Sequence, residues 1–267
     1  EASTGNTITY QQILSALFAF NNAVGSDPRT VLVALEGGII DSIWWLLSLT
    51  AGHTIIPVSP QLTLHEYEDI VKNHSVDIIV SDSSTFKGNS HVPVFSHKKC
   101  IDILESSRNS HSYDTYVPRD GFVLLYTSGS TGKPKEIILT TRQIVHTASS
   151  IIESHMLTDK DRGFTPLPFY HVNAPVVSLI TTMLSGSSLI IAPKFSLSKF
   201  WKWIKTYDPT WISLVPTIIT LLMKTEKPAY LSHSSLRFIR TASAPLPSIT
   251  LTRFEEKFNI PVIETYG

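Results

Sequence analysis

Residues 126–135 read Tyr126-Thr127-Ser128-Gly129-Ser130-Thr131-Gly132-Lys133-Pro134-Lys135. Four aliphatic hydroxyls, two glycines and two lysines fall within these ten positions. Backbone N–H groups opened by glycine, hydroxyl donors and ammonium groups are what a polyphosphate needs once water is stripped from it. The flanks 122–126 and 137–139 are apolar and short, which predicts two buried strands with the polar run at the tip between them. An ordinary Walker loop is excluded, because it places four residues between its glycines and a Ser or Thr after its lysine, at the start of a helix. Here two residues separate Gly129 from Gly132, and Pro134 follows Lys133. The bland alternative is a polar hairpin turn with no ligand.

A second run, Thr165-Pro166-Leu167-Pro168-Phe169-Tyr170-His171-Val172-Asn173-Ala174-Pro175, brings aromatic rings and a histidine together before an apolar helix. Its prolines hold the approach extended. Taken alone, His171 reads as a packed or surface histidine. The aromatic residues Phe200, Trp201 and Trp203 read as core rather than as a ligand cage. Cys100, the single cysteine, sits beside Lys98 and Lys99 and is not taken as a catalytic thiol; alone it excludes an internal disulfide and fits a reducing compartment.

The elements that must position these groups follow from periodicity. Thr7-Ile8-Thr9-Tyr10 reads as a strand, and 11–22 as a helix carrying Ile13, Leu14, Leu17, Phe18 and Phe20. Strands are expected at 31–35, 55–58 and 77–80, with helices at 39–50 and 62–74 between them. Residues 83–119 read as surface connection apart from a strand near 92–95. A helix is expected over 141–155, with Thr140 or Thr141 as its N-cap. Then come an apolar helix and a strand within 176–192, a helix over 199–207 and a strand over 211–215. Strands alternating with helices predict an α/β fold with parallel crossovers.

The chain has 267 residues, 22 basic against 22 acidic, so nothing points to nucleic acid. Charged residues make up 16%, below the roughly 25% usual in soluble domains, which points to a surface that contacts other protein. The greasiest stretch, 176–192, is broken by Thr181, Thr182 and Ser185-Gly186-Ser187-Ser188, so no membrane span is expected. No signal-peptide pattern opens the chain, and a first residue of Glu1 implies a trimmed N-terminus.

The run 126–135 resembles the nucleotide-binding motif of the adenylate-forming enzymes, the superfamily of acyl-CoA synthetases, luciferase and peptide-synthetase adenylation domains. Members usually read Tyr-Thr-Ser-Gly-(Ser/Thr)-Thr-Gly-x-Pro-Lys-Gly, so the match breaks at Glu136, where glycine is usual. A carboxylate there is awkward beside a phosphate unless it points away or pairs with Lys135. Residues 166–173 resemble the family's Pro-Leu-Phe-His-Val-x-Gly segment. Amino-acid-activating relatives carry Phe-Asp there; His171-Val172 cannot neutralise a buried ammonium, so the expected acid lacks an α-amino group. Asp208-Pro209-Thr210-Trp211, Val215-Pro216-Thr217 and 236–246 are most similar to the medium-chain and oxalate-type acyl-CoA synthetases.

The resemblance implies two packed βαβ-type sheets of an N-terminal domain, truncated before the β-barrel and the C-terminal domain. It implies a first subdomain at 26–160 and a second made of 1–25 plus 161–267. Thr127, Ser128, Gly129, Ser130, Thr131, Gly132, Lys133 and Lys135 are then expected at pyrophosphate. Ser243, Ala244, Pro245, Glu264, Thr265, Tyr266 and Gly267 are expected at adenosine, and His171, Val172, Asn173, Thr217 and Ser243 at the acyl pocket. Lys133, Lys135 and His171 are the expected catalytic residues. No metal ligand is assigned, because the motif's magnesium-holding glutamate would follow Gly267. The implied partners are ATP, Mg²⁺, a carboxylic acid and CoA or a phosphopantetheine carrier protein, in the cytoplasm or the peroxisome. The fragment alone is expected to bind nucleotide weakly and adenylate poorly. Two alternatives stay open: a loading domain serving a carrier protein, and a nucleotide-binding module that has lost catalysis.

Overall fold

In the computed structural model of the chain, the first helix, α1 (Tyr10–Val24), begins at a reciprocal cap. The Thr9 side chain accepts from the Gln12 N–H, and the Gln12 side chain accepts from the Thr9 N–H. This corrects the strand expected at 7–10: the capping pair fixes Thr9 as the entry to a helix, whatever the β-propensity of its neighbours. The structure describes residues 1–82, 91–106, 119–127 and 135–265, which fall into two compact units. Residues 7–146 with 169–172 form the first, and residues 1–6, 147–168 and 173–267 the second. Residues 7–24, which the sequence reading groups with the later half, lie in the first unit.

The first unit continues with β1 (Thr30–Ala34), α2 (Ile39–Thr50), β2 (Thr54–Pro57), α3 (Leu64–His74), β3 (Ile78–Ser81) and β4 (Val94–Phe95). After α4 (His97–Ser106) come β5 (Phe122–Thr127) and β6 (Lys135–Thr140). The sheet order is β4-β3-β1-β2-β5-β6, parallel except for the antiparallel pair β5 and β6. Leu32, Ile56, Tyr67, Ile79 and Leu124 build its core. On the other side Phe20 of α1 meets Trp44 edge-on at 5.0 Å.

Helix α4 lies inside the stretch read as surface connection. His97, Lys98 and Lys99 hide its pattern, yet Cys100 and Ile103 are buried, and burial pushes the Cys100 thiol up, away from reactivity. The expectation of two buried strands around the polar run holds only in part. Val123 and Leu124 of β5 are buried, but Ile137 and Ile138 of β6 are 43% and 58% exposed, because β6 is the last strand of the sheet.

Helix α5 (Thr141–His155) follows a further reciprocal cap between Thr140 and Gln143, and its residues divide between the two units at 146/147. The second unit holds β7 (Arg162–Thr165), a π-helical segment (Asn173–Ile180) passing into α6 (Thr181–Ser185), β8 (Ser188–Ile191) and α7 (Leu197–Tyr207). Then follow β9 (Trp211–Leu214), α8 (Pro216–Leu222), β10 (Phe238–Thr241), α9 (Ser248–Phe258) and β11 (Val262–Glu264). The five strands are all parallel, in the order β11-β10-β9-β7-β8. Trp211 lies stacked on Phe238, and a Cβ on Gly163 would approach its ring to 2.8 Å, so β7 needs glycine there.

At the amino edge of this sheet one carboxylate gathers three strand entrances. Asp161 accepts from Arg237 Nη2 at 2.7 Å, Thr210 Oγ1 at 2.6 Å and the Thr158 N–H at 2.8 Å. Burial alone would raise its pKa, but the hydrogen bonds from Thr210, Thr158 and Arg237 hold it below the usual carboxylate range. A carboxylate with a depressed folded pKa stabilises above its unfolded pKa and loses that contribution as pH falls through the folded value. Asp161→Ala is therefore expected to cost about 2–3 kcal/mol at pH 7. Urea melts repeated at falling pH should show the gap from the parent chain closing as the acid limb is entered.

Candidate functional site

The phosphate-type run sits on the β5–β6 hairpin. Thr127 pairs with Lys135 and Tyr126 with Glu136, so the two strands stay in register up to both ends of the run 128–134. Thr127 contributes through its backbone position, while Ser128, Gly129, Ser130, Thr131, Gly132 and Lys133 lie outside the described residues. Lys135 is exposed at the first position of β6. Consecutive strand residues project to opposite faces, so Lys135 and Glu136 are divided between the two sides of the sheet.

Glu136 reaches back to the last turn of α3, where its Oε1 lies 3.2 Å from His74 Nε2. The Tyr126 hydroxyl bonds the same nitrogen. Burial, then the charge of Glu136, raises the Tyr126 pKa to about 12, so the phenol stays protonated. The carboxylate that replaces the family's glycine thus has a partner on α3. Sequence reasoning missed His74, which carries no signal of its own on a predominantly polar helix.

Residues 169–172 also belong to the first unit. Phe169 is fully buried and anchors the segment; the Tyr170 and His171 rings lie 4.6 Å apart at 60°, and His171 and Val172 are exposed. Partial desolvation holds the His171 imidazole below the ordinary histidine range, which keeps it neutral at neutral pH.

In the second unit the expected residues collect at the carboxyl edge of the parallel strands. The chain passes from β7 to β8 on one side and then to β9 on the other, so the strand order reverses between β7 and β9. Ligands of open α/β sheets bind outside the carboxyl ends at such a reversal. Asn173 opens the segment after β7, and Thr217 stands exposed in the first turn of α8 after β9. Ser243, Ala244 and Pro245 form an exposed loop after β10.

That loop is braced from β11. The Leu246 N–H donates to Glu264 Oε1 at 2.7 Å, and the Thr265 N–H donates to the Thr241 carbonyl at 2.9 Å. Asn173 Nδ2 donates to Ser243 Oγ at 3.4 Å, and Arg240 Nη1 donates to Asn173 Oδ1 at 3.2 Å. The structure thus brings Asn173, Ser243, Glu264 and Thr265 into one hydrogen-bonded edge. Thr217 makes no side-chain hydrogen bond with them among the described residues. Tyr266 and Gly267 lie outside the described residues. Arg240 was not expected at the site: within the four-residue strand β10 its role shows only through Asn173, its partner from the segment after β7.

This pair of α/β units is the fold of the N-terminal domains of adenylate-forming enzymes. ATP-bound MatB from Rhodopseudomonas palustris superposes with a TM-score of 0.84 at 23% identity, over 99% of this chain and 55% of that one. The N-terminal domain of FACL13 from Mycobacterium tuberculosis gives 0.81 at 22%, over 99% of this chain and 70% of that one. The chain belongs to the family described as "AMP-binding enzyme", which matches residues 3–267. Among curated relatives, sulfoacetate–CoA ligase of Cupriavidus necator is 40% identical over 145 residues, 54% of this chain and 28% of that protein. Oxalate–CoA ligase of Arabidopsis thaliana is 34% identical over 153 residues, 56% of this chain and 30% of that protein. The matched stretch therefore spans less than a third of these relatives.

His74→Ala removes the partner shared by Tyr126 and Glu136. It should cost about 1–2 kcal/mol in a chemical melt, chiefly by stranding the half-buried phenol. Glu136→Gln, at a half-exposed position, should cost less than about 1 kcal/mol.

Proposed function

We propose that the chain supplies the nucleotide- and acid-binding portion of an acid–thiol ligase, which activates a carboxylic acid with ATP as the acyl adenylate and passes the acyl group to CoA. The observation that carries this reading is the β5–β6 register, which stays closed up to Thr127 and Lys135 around a glycine- and lysine-bearing loop. In the first half-reaction an oxygen of the acid attacks the α-phosphorus and pyrophosphate leaves. In the second the thiol sulfur attacks the acyl carbon and AMP leaves. A carboxylate is already nucleophilic at neutral pH, so the protein's task is positioning and charge stabilisation rather than general-base catalysis.

Lys133, Lys135 and the hydroxyls of 127–131 are assigned to pyrophosphate. Ser243 to Pro245 and Tyr266 are assigned to adenosine, with Glu264 bracing their loop. His171, Val172, Asn173, Thr217 and Ser243 are assigned to the acid. Mg²⁺ supplies charge neutralisation to the phosphates, and no residue of this chain is assigned to it. His171 and Val172 offer no carboxylate to pair with an ammonium, so the acid lacks an α-amino group. The matched relatives are named for sulfoacetate and oxalate, which makes short acids with a second anionic group the first to test. The single buried cysteine suits a reducing compartment, the cytoplasm or the peroxisome.

The test is binding of 5′-O-(N-acetylsulfamoyl)adenosine, an unreactive acyl-adenylate mimic, by calorimetry and thermal shift, followed by hydroxamate trapping with ATP, Mg²⁺ and a panel of acids. Saturation at 100 times the dissociation constant should stabilise the chain by about 2.7 kcal/mol. Lys135→Ala should weaken ATP more than AMP. A chain that binds neither the mimic nor ATP would sink the proposal.

A further inference from the structure

We propose that Arg240 and Asn173 form a polarised relay that turns the hydroxyl hydrogen of Ser243 outward, making Ser243 a hydrogen-bond donor to an anionic oxygen of the bound acid or its adenylate. Arg240 and Asn173 are positioning residues, and Ser243 is the group that touches the ligand. The proposal rests on the acid-activating reading above and deepens it.

The polarity of the relay follows from donor and acceptor inventories. A guanidinium only donates, so the atom of Asn173 that meets Arg240 Nη1 at 3.2 Å must be its oxygen. That commits the amide nitrogen to the other side, where it lies 3.4 Å from Ser243 Oγ. An amide nitrogen also only donates, so Ser243 Oγ accepts there, and its own hydrogen is left to point elsewhere. Ser243 is exposed at the carboxyl edge of the sheet, so that direction is out of the protein.

Two further observations show that the relay is more than loop packing. Arg240 is 7% exposed, forms no ion pair among the described residues, and its Nε has no hydrogen-bond partner. Burial lowers its pKa only to about 10, so the guanidinium stays charged at neutral pH. A buried cation without a carboxylate is costly to keep, and an anion held at the end of the relay would offset it. Ser213, its register partner on β9, likewise has a buried hydroxyl without a partner.

The second observation is backbone strain. Five described non-glycine residues have positive φ. Ser75, Asp208 and Asn259 are the C-caps of α3, α7 and α9, and Met156 directly follows α5. Ser243, at φ +77°, ends no helix. A left-handed serine costs about 1–2 kcal/mol, and such strain collects where a side chain must be aimed. The bonds from Leu246 to Glu264 and from Thr265 to Thr241 hold the loop against that cost.

Asn173→Asp tests the polarity without removing the shape. A carboxylate cannot donate; it accepts from Arg240 and also from the Ser243 hydroxyl, so the serine hydrogen turns inward. The buried cation gains a counter-ion, and the melting temperature should be unchanged or raised. Affinity for 5′-O-(N-acetylsulfamoyl)adenosine should fall by about tenfold, the scale of one lost hydrogen bond to a charged group. Ser243→Ala should lose a similar amount, and the double variant should lose no more than Ser243→Ala alone, because both act through one hydrogen. Unchanged affinity in Asn173→Asp, or losses that add in the double variant, would overturn the relay. So would a melting temperature lowered by more than about 4 °C in Asn173→Asp, since that size of shift means a real loss of stability. A parent chain that does not bind the mimic overturns both this inference and the acid-activating reading, whereas the outcomes on the variants overturn the relay alone.

Discussion

An antiparallel hairpin joined to an otherwise parallel sheet is the constraint on which the first unit depends. A parallel pair needs a long crossover, whereas antiparallel partners can be joined by a short loop whose two ends are fixed at one strand spacing. β5 meets both conditions, running parallel to β2 on one side and antiparallel to β6 on the other. The pair is fastened at its far end by Thr141, whose hydroxyl accepts from the Gly121 N–H and donates to the Gly121 carbonyl, both at 2.9 Å. Gly121 admits no side chain, because a Cβ would come within 2.5 Å of the Leu49 carbonyl at the end of α2. At the loop end, His74 holds Tyr126 and Glu136 together. The two ends of the β5–β6 pair are thus tied to α2 by the close approach at Gly121 and to α3 by the side chains of His74, Tyr126 and Glu136.

The second unit divides its two edges by chemistry. At the amino edge Asp161 has a partner for each acceptor direction, and its role is complete without a ligand. At the carboxyl edge the account is left open. Arg240 Nε and the hydroxyls of Ser213 and Thr241 are buried without partners. Unsatisfied buried donors cost about 1–3 kcal/mol each, and Trp211 Nε1 at the start of β9 is one as well. The reversal of strand order between β7 and β9 places the carboxyl edge where open α/β sheets take their ligands.

Much of this was legible in the sequence because the relevant patterns are local. The strands around Leu32, Ile56 and Ile79 are short apolar runs, and α5 declares itself through Thr140, Gln143 and a clear periodicity. The polar run between two apolar flanks announced a strand-loop-strand unit without any knowledge of pairing. What escaped was set by partners distant in sequence. The exposure of Ile137 and Ile138 depends on β6 being the last strand, and that depends on the whole strand order. The cap at Thr9 was readable, yet β-propensity at Thr7 and Ile8 competed with it. His74 and Arg240 escaped for a common reason. A polar residue on a polar helix, or an arginine in a four-residue strand, has a role only once its partner across the fold is known, here Glu136 and Asn173.

Glu136 shows how a departure from a family pattern is absorbed. Glycine in a strand interior lacks a side chain to pack and weakens the strand, so replacing it on an edge strand need not destabilise. The concern is electrostatic, a carboxylate next to Lys135, which the proposed function assigns to pyrophosphate. Strand alternation turns Glu136 to the face opposite Lys135, and His74 holds it there. Two unit charges about 10 Å apart in water interact by only about 0.4 kcal/mol, and salt screens that further. A carboxylate on the far face is therefore turned away from Lys135, whereas the same group on the lysine face would compete for the cation. The pleat of β6 sets the face, and His74 gives the carboxylate its partner there.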